Sequence, residues 1–565
     1  MIIHRRSLRR RSRENETTGP LPIALGVTGH RNIRQEDIPR LEELVRGIFD
    51  DLRKRAPHTP IEVLSSLAEG ADRVVARIGL DAGARLVVPL PMPLDLYEQD
   101  FADEASRTEF KGLLEAADEV VTIPLPEGIT PEKVAEYGPE RDRQYGYMGA
   151  WTVRNSHALV ALWDGEISHL PHGTSDVVFF NLEGIPDDLS GSQSRLQPPE
   201  GDPVYHIITP RKGDPVPENA LTMTMRYPES HVSGHGSSSG EHRFNDVLLG
   251  TDRFNRDVFE GRSNVEEVER SIGYIADEDR PLLERLGFAD TLGLFGIADS
   301  LAGRFARRTH RSLSWVFVSL TIAVILFDIY THVYLLVWPL LAGYLLGLVV
   351  TYGLVVRSSR GEYHSRYLDY RALAEGLRVR LFWEIVGVDD EIADNYLHKQ
   401  RSELDWVRYA LRIWKPPTGL ATEVGEAEGF DGSDGAADGV SEQEGGPGLY
   451  ERLDLVRRRW VEDQRRYFAR AAEREEASAR RAMRWGNILI LLGIALALYQ
   501  VVVQAIGNPD FTKEPSHWLL VAVALAPIFA GLLVGYAEKR AHHDHARQYE
   551  RMAILYDYAA RRLSA

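Results

Sequence analysis

The chain has 565 residues and no cysteine. Disulfides and thiolate catalysis are thereby excluded, and the soluble parts are expected on the reducing, cytosolic side of a membrane. An excess of positive charge is missing too: 66 Lys and Arg stand against 83 Asp and Glu, for a formal net charge of −17. That balance argues against binding a nucleic-acid duplex. The opening MIIHRRSLRRRSR carries six arginines but lacks the apolar core of a secretory signal. Residues 1–20 read as a basic disordered tail, or alternatively as a clamp on anionic lipid headgroups.

Charge is also nearly absent from four runs that the mean hydropathy of −0.25 conceals. They cover residues 315–331, 335–356, 488–506 and 518–537, with Asp328 as the one charged side chain. Each is close to the thickness of a bilayer core, so four transmembrane helices are expected. Arg304, Arg307, Arg308 and Arg311 precede the first run, and Arg357 and Arg360 follow the second. Arg480, Arg481 and Arg484 precede the third, and Lys539 and Arg540 follow the fourth. The positive-inside rule then makes both hairpins dip from the cytoplasm and return, with both termini cytoplasmic in a multi-pass membrane protein.

Residues 21–185 alternate between strand-like and helix-like patterns. Strands are expected at 23–27, 61–65, 85–90, 119–122 and 158–163, and helices at 36–55, 70–82, 104–117 and 140–155. Such alternation predicts an α/β domain with a parallel sheet. Residues 186–245 are rich in Pro, Gly and Ser, with VYHIITPR (204–211) as a strand-like island and SGHGSSSGEH as an expected mobile loop. The organisation expected is a tail (1–20), a ligand-binding domain (21–300) with an insertion (186–262) and a helical extension (264–310), then a first hairpin with cytosolic helices (311–417). An acidic, Gly-rich linker (418–448) and a second hairpin (449–565) follow. Tyr363, Tyr367, Tyr370, Ala374, Leu377 and Leu381 form a heptad-like seam, and Leu453, Trp460 and Tyr467, like Tyr549, Tyr556 and Leu563, step by sevens. Either intrachain packing or an oligomer-setting bundle accounts for them.

Three glycine-bearing turns, each following a strand, are expected at one edge of that sheet, where ligands bind in such folds. The first is Gly26-Val27-Thr28-Gly29-His30-Arg31: glycines let backbone amides approach an anion, Thr28 can donate, and Arg31 can pair with phosphate. A tight turn with a helix cap is the plainer account of it. The second is Ser66-Leu67-Ala68-Glu69-Gly70 with Asp72, where Ser65, Ser66 and backbone amides can hold a second phosphate, and Glu69 can accept from ribose hydroxyls. Asp72 alternatively caps a helix. The third is Trp163-Asp164-Gly165 with Gly173-Thr174, where Trp163 either stacks on a base or is core. His542, His543, Asp544 and His545 are consecutive, so a helix spreads them over all faces, and His231, His235 and His242 lie in the Gly/Ser-rich stretch. No metal site is expected from either group. Asp328, Gln500 and Gln504 are polar groups within or near spans that either line a water path or sit at the interface.

These motifs, with the Pro89-Leu90-Pro91 exit of the third strand, resemble the SLOG superfamily of Rossmann-like nucleotide sensors and nucleotide-processing enzymes, over about residues 20–185. FADTLGLFGIADSLA resembles the helical extension that some of its members place before a membrane unit. RALAEGLRVRLFW and RRWVEDQRRYFARAAE resemble SLATT two-span effector modules of bacterial conflict systems. The resemblance implies a nucleotide-derived ligand, ADP-ribose-like or a cyclic nucleotide, with no further cofactor, in a homo-oligomer of the bacterial inner membrane that forms a pore when triggered in anti-phage defence. SLOG-like domains also form the cytosolic N-terminus of melastatin-type TRP channels. SLOG enzymes that cleave nucleoside monophosphates share PGGxGTxxE; here the matching stretch is Pro171-His172-Gly173-Thr174-Ser175-Asp176-Val177. The missing glycine and glutamate imply binding rather than hydrolysis. A membrane-tethered hydrolase using Glu69 or Asp164 as base, and a constitutive channel with a scaffold domain, are the alternatives.

Overall fold

The structure is a computed structural model. It describes residues 3–5, 19–101, 103–126, 128–167, 172–190, 201–228, 238–261, 264–333, 337–388, 405–413, 448–505, 517–540 and 542–564. Most of the basic tail, the acidic linker before Gly448, Pro171, His231 and His235 lie outside these residues, as do the side chains of Gln504, His542, His543 and Asp544. The chain divides into two compact units, one comprising Met1–Leu301 with Asp369–Asp438 and the other Ala302–Leu368 with Gly439–Ala565.

The first unit is built on eight strands: β1 (Ile3–Arg5), β2 (Ile23–Gly29), β3 (Ile61–Leu64), β4 (Arg85–Leu90), β5 (Glu119–Thr122), β6 (Ala158–Trp163), β7 (Val204–Ile208) and β8 (Met223–Arg226). They lie in the order β1-β5-β4-β3-β2-β6-β7-β8. The central six are parallel, and an antiparallel strand closes each edge. All five expected strands form. β6 is buried along its whole length, as a strand covered on both faces must be, which explains its unbroken apolar sequence. β2 runs on to Gly29 because Thr28 and Gly29 still pair with Ala161 and Leu162 of β6. The island after residue 203 supplies β7. β8 was not legible, since its Met-Thr-Met-Arg carries no strong alternation.

Helices cover the sheet at the expected places. Helix Ile38–Arg55 buries Leu41, Val45, Ile48, Phe49 and Leu52, spaced by three and four residues as one helical stripe. Helix Glu104–Ala116 is capped by Asp103, whose carboxylate accepts the Ser106 amide at 2.7 Å. Of the stretch SGHGSSSGEH, expected as a loop, residues 233–237 lie outside the described residues, and from Ser238 on it is helical, Ser238–Gly261. Phe244, Val247, Leu248, Phe254 and Val258 recur along it at helical spacing and are buried.

Residues 369–386 and 405–413, expected with the first hairpin, pack in the first unit instead. Arg253 pairs with Asp369 at 2.7 Å and Arg243 with Asp405 at 2.7 Å, while the Phe254 ring meets Tyr370 and Trp406. The seam residues Tyr370, Ala374, Leu377 and Leu381 are buried by these contacts within one chain. Tyr409 stacks on His157 at 5.0 Å, and His157 Nδ1 accepts the Ala24 amide at 3.0 Å. Burial of that ring, with Arg412 nearby, holds its pKa down to about 3, so it is a neutral acceptor in the core.

Among the described residues, four helices are long and apolar enough to cross a membrane. The apolar runs lie in Ala289–His332, Trp338–Arg360, Asp463–Ala505 and His517–Lys539. Within the second unit the first pair packs through small residues: a Cβ on Gly347 would stand 2.8 Å from that of Ala323. Ser319 and Thr351 share a hydrogen bond of 2.7 Å across the same pair. Asp328 is buried and pairs with His332, one turn on, at 3.0 Å. Of the residues that step by seven, Trp460, Tyr467, Tyr549 and Tyr556 make ring contacts within the chain, Trp460 and Phe468 with Tyr556 and Tyr467 and Phe468 with Tyr549, while the side chain of Leu563 lies outside the described residues.

Candidate functional site

After β2 the chain passes to β3 on one side, whereas β6 joins β2 on the other. The sheet order reverses there, the switch point beside which ligands bind in doubly wound sheets, and the His30 amide joins the ends of β2 and β6 by donating to the Leu162 carbonyl at 3.0 Å. His30-Arg31 and Asp164-Gly165 stand at this point.

The switch point is braced by its own side chains. His30 Nε2 accepts the Asp164 amide at 2.9 Å and is approached by Arg211 Nε at 3.3 Å. An imidazole nitrogen that accepts an amide proton carries none itself, so His30 is neutral; burial first, and Arg211 second among the depressing effects, lower its pKa. The 3.3 Å approach of Asp164 Oδ1 to that nitrogen is therefore not an ion pair. Asp164 is committed elsewhere: its Oδ2 pairs with Arg211 Nε at 2.7 Å and its Oδ1 accepts the Glu166 amide at 3.0 Å.

The loop after β3 docks directly beneath. Gly70 has φ +78°, and a Cβ there would lie 2.4 Å from the carbonyl oxygens of both His30 and Arg31. Glycine is thus required for conformation and for space. Leu67, buried, also has a positive φ of 60°. Asp72 ties this loop to the following helix: Ser66 Oγ donates to its Oδ2 at 2.9 Å, Ser65 Oγ at 3.3 Å, and the Ala68 amide adds a further bond. Burial pushes the Asp72 carboxyl up to about 6, against the pull of those donors and of Arg31. Glu69 accepts from the Ser106 hydroxyl.

On the β6 side, Gly165 has φ +93° and Gly173-Thr174 opens helix Thr174–Glu183. Thr174 Oγ1 donates to the Gly29 carbonyl at 3.1 Å, which brings the helix N-terminus to the end of β2. His172, with φ +61°, donates its amide to Asp176 at 2.7 Å.

Three of the sequence-derived candidates are buried in the sheet. Gly26 pairs with Leu64 and Leu159 in mid-ladder, and a Cβ on it would meet Ser156 and Thr152 at 3.0 Å. The close approach that it permits is to a helix, not to an anion. Thr28 is in the ladder opposite Ala161 and is buried. Trp163 is 1% exposed, donates its indole N–H to the Glu166 carbonyl at 3.0 Å and tilts against His206, so it is core and not a stacking platform.

Arg31 is different. It is exposed, no carboxylate lies within ion-pairing distance among the described residues, and its guanidinium stands 5.8 Å from the Tyr145 ring centre. Tyr145 donates its hydroxyl to Asp100, which in turn holds Arg141 at 2.7 Å. An aromatic face steadies a cation without neutralising it, leaving the charge available to a ligand. Tyr145, Asp100, Arg141 and Arg211 were not among the sequence candidates. They lie far from the glycine turns in the chain, and only Arg211, at the end of VYHIITPR, followed a recognisable strand. No group of three or more His, Asp or Glu among the described residues is arranged to hold a metal ion.

No family model matches the chain, and no curated protein matches it. Among solved structures, the X-ray structure of DNA processing protein A (DprA) from Streptococcus pneumoniae is matched at 16% identity with a TM-score of 0.18. The match covers 25% of this chain and 41% of that one, and likeness this slight carries no argument.

Proposed function

We propose that the chain is a nucleotide-sensing membrane effector: a SLOG-like unit whose occupancy by a nucleotide-derived signal, ADP-ribose-like or cyclic, opens SLATT-like spans in the inner membrane of a bacterium under phage attack. The observation that carries the reading is Arg31, an exposed cation at the sheet's switch point with no carboxylate partner among the described residues, in a chain with four membrane-length apolar helices. The helix opened by Gly173-Thr174 adds amides and a positive dipole end at the same place. Phosphate is the group this combination suits. Helix Ala289–His332 begins in the first unit and ends in the second, so the backbone between the sensor and the first span is continuous. The signal gates the spans only by binding one of their arrangements more tightly, since equal affinity shifts nothing.

The hydrolase alternative has less support. Its candidate bases are engaged, Asp164 with Arg211 and Glu69 with Ser106, and neither is positioned as a free carboxylate. The test is titration of the full chain, reconstituted in liposomes, with ADP-ribose derivatives and cyclic oligonucleotides while dye leakage is followed. Leakage that rises with one ligand and is lost in Arg31→Ala supports the reading. Leakage indifferent to every ligand overturns it, and nucleotide turnover without leakage favours the hydrolase.

A further inference from the structure

Contacts within the second unit set the relative level of the four apolar helices. Ser319 and Thr351 are hydrogen-bonded at 2.7 Å across the first antiparallel pair. Arg311 precedes Ser319 by about two turns, and Arg357 and Arg360 follow Thr351 by about two turns, so all three stand at one level. In the second pair a Cβ on Gly486 would lie 3.0 Å from Val534. Arg484 and Arg481 precede that contact by about one turn and Lys539 follows it by about one and a half. The pairs are joined near this level, where Ser314 Oγ is 3.3 Å from the Tyr536 hydroxyl and Phe317 packs on the Tyr536 ring.

The result is a collar of six cations, Arg311, Arg357, Arg360, Arg481, Arg484 and Lys539, at the mouths of all four apolar helices. All are exposed, and among the described residues none is paired with a carboxylate. Arg481 instead donates to the Ala477 carbonyl and the Ser478 hydroxyl. Orientation during insertion requires only that cations lie on one side of the membrane. Six level cations without acidic partners also call for a counter-charge at that level. If the apolar helices span the bilayer, the collar falls within the headgroup layer, about 7 Å deep on each side.

We infer that the collar is a binding surface for anionic phospholipid headgroups and that these lipids stabilise the packed four-helix arrangement. The inference rests on the reading of the four helices as membrane spans and is independent of the nucleotide site. Arg466 and Arg470 provide an internal control. They lie on the same helix as Arg484 but roughly 20–27 Å from it along the axis, beyond the screening length of about 8 Å at physiological salt.

The experiment uses the purified full chain in detergent micelles doped with phosphatidylglycerol, with phosphatidylcholine, or with inorganic phosphate alone. Melting temperature and the lipids retained in native mass spectrometry are the readouts. Phosphatidylglycerol is expected to raise the melting temperature and to be retained over phosphatidylcholine by about fivefold for each arginine engaged, declining with added salt. The preference should vanish in R357Q/R360Q/R481Q/R484Q, survive when the same four positions carry lysine, and survive in R466Q/R470Q. Equal stabilisation by phosphatidylcholine, an equal effect of phosphate alone, or a preference retained in the four-glutamine variant overturns the inference. Should that variant not fold, a preference in the native chain that is indifferent to salt overturns it equally. A chain that stays folded and dispersed once detergent is removed overturns the reading of the spans, whereas one that needs detergent but shows no lipid preference overturns only the collar.

Discussion

Replacing Arg31 with alanine separates holding the fold together from holding a ligand. In the folded chain the guanidinium is exposed, and among the described residues its aromatic contact is Tyr145 at 5.8 Å. An exposed cation–π contact is worth about 0.5–1 kcal/mol. For a unit of this size that corresponds to a fall in melting temperature of no more than about 2–4 °C. A phosphate bound by the same guanidinium gains charge-assisted hydrogen bonds worth about 1.5–3 kcal/mol, so Arg31→Ala should weaken binding by roughly 10- to 150-fold. Calorimetric titration with ADP-ribose and cyclic nucleotides, beside differential scanning fluorimetry of both proteins, reads the two quantities together. Binding unchanged within a factor of two refutes the assignment of Arg31 as a ligand contact. A melting temperature lower by ten degrees or more would show that Arg31 is structural after all.

The opposite pattern is expected at Gly70. Alanine there meets a φ of +78° and two carbonyl oxygens at 2.4 Å, so Gly70→Ala should cost at least about 3 kcal/mol, measured by thermal or urea unfolding, and any loss of binding should track that loss of fold. Asp72 should leave a signature in pH dependence. Its folded pKa of about 6 lies above the ordinary 3.8, so its contribution to stability is fully present below pH 3.8 and is lost as pH rises through 6. That loss amounts to roughly 3 kcal/mol at neutral pH. Asp72→Asn, which cannot ionise but can still accept from Ser66, should flatten the fall in stability between pH 4 and 7; a curve parallel to that of the native protein would contradict it. Trp163→Phe should leave nucleotide affinity within about twofold, because the indole is core, and a drop of tenfold in titration would restore it as a ligand contact.

Much of this architecture was legible before any tertiary contact was known. β2, β3, β4, β5 and β6 and the helices between them announce themselves because an apolar run that ends in glycine or proline has few other uses. The four apolar helices are legible for a comparable reason: some twenty residues without charge are costly to leave in water. The short β8 and helix Ser238–Gly261 were not, the first because four residues carry too little pattern and the second because its Ser/Gly-rich start resembles a loop. The seam at Tyr370 to Leu381 could not be assigned, because a heptad spacing states that a face is apolar and not which surface will cover it. The structure covers it with Phe254, Trp406 and Leu411 of the same chain.

The candidate site divides along the same line. Sequence alone determined that glycine turns follow three parallel strands, because strand ends and the glycines that turn them are local features. Their individual roles depended on what lies across space. Gly26, Gly29 and Gly70 all read as anion-binding glycines, yet Gly26 clears Thr152 and Ser156, Gly29 clears Ala71, and Gly70 clears the His30 and Arg31 carbonyls. His30 became a neutral brace only once Asp164 and Arg211 were seen on its ring. Arg31 was already the sequence's first candidate for a phosphate; the packing adds that its guanidinium is exposed, stands over Tyr145 and, among the described residues, forms no ion pair with a carboxylate. Whether a charge is spent within the fold or left free is a matter of distances between residues remote in the chain, and those distances are set by tertiary packing.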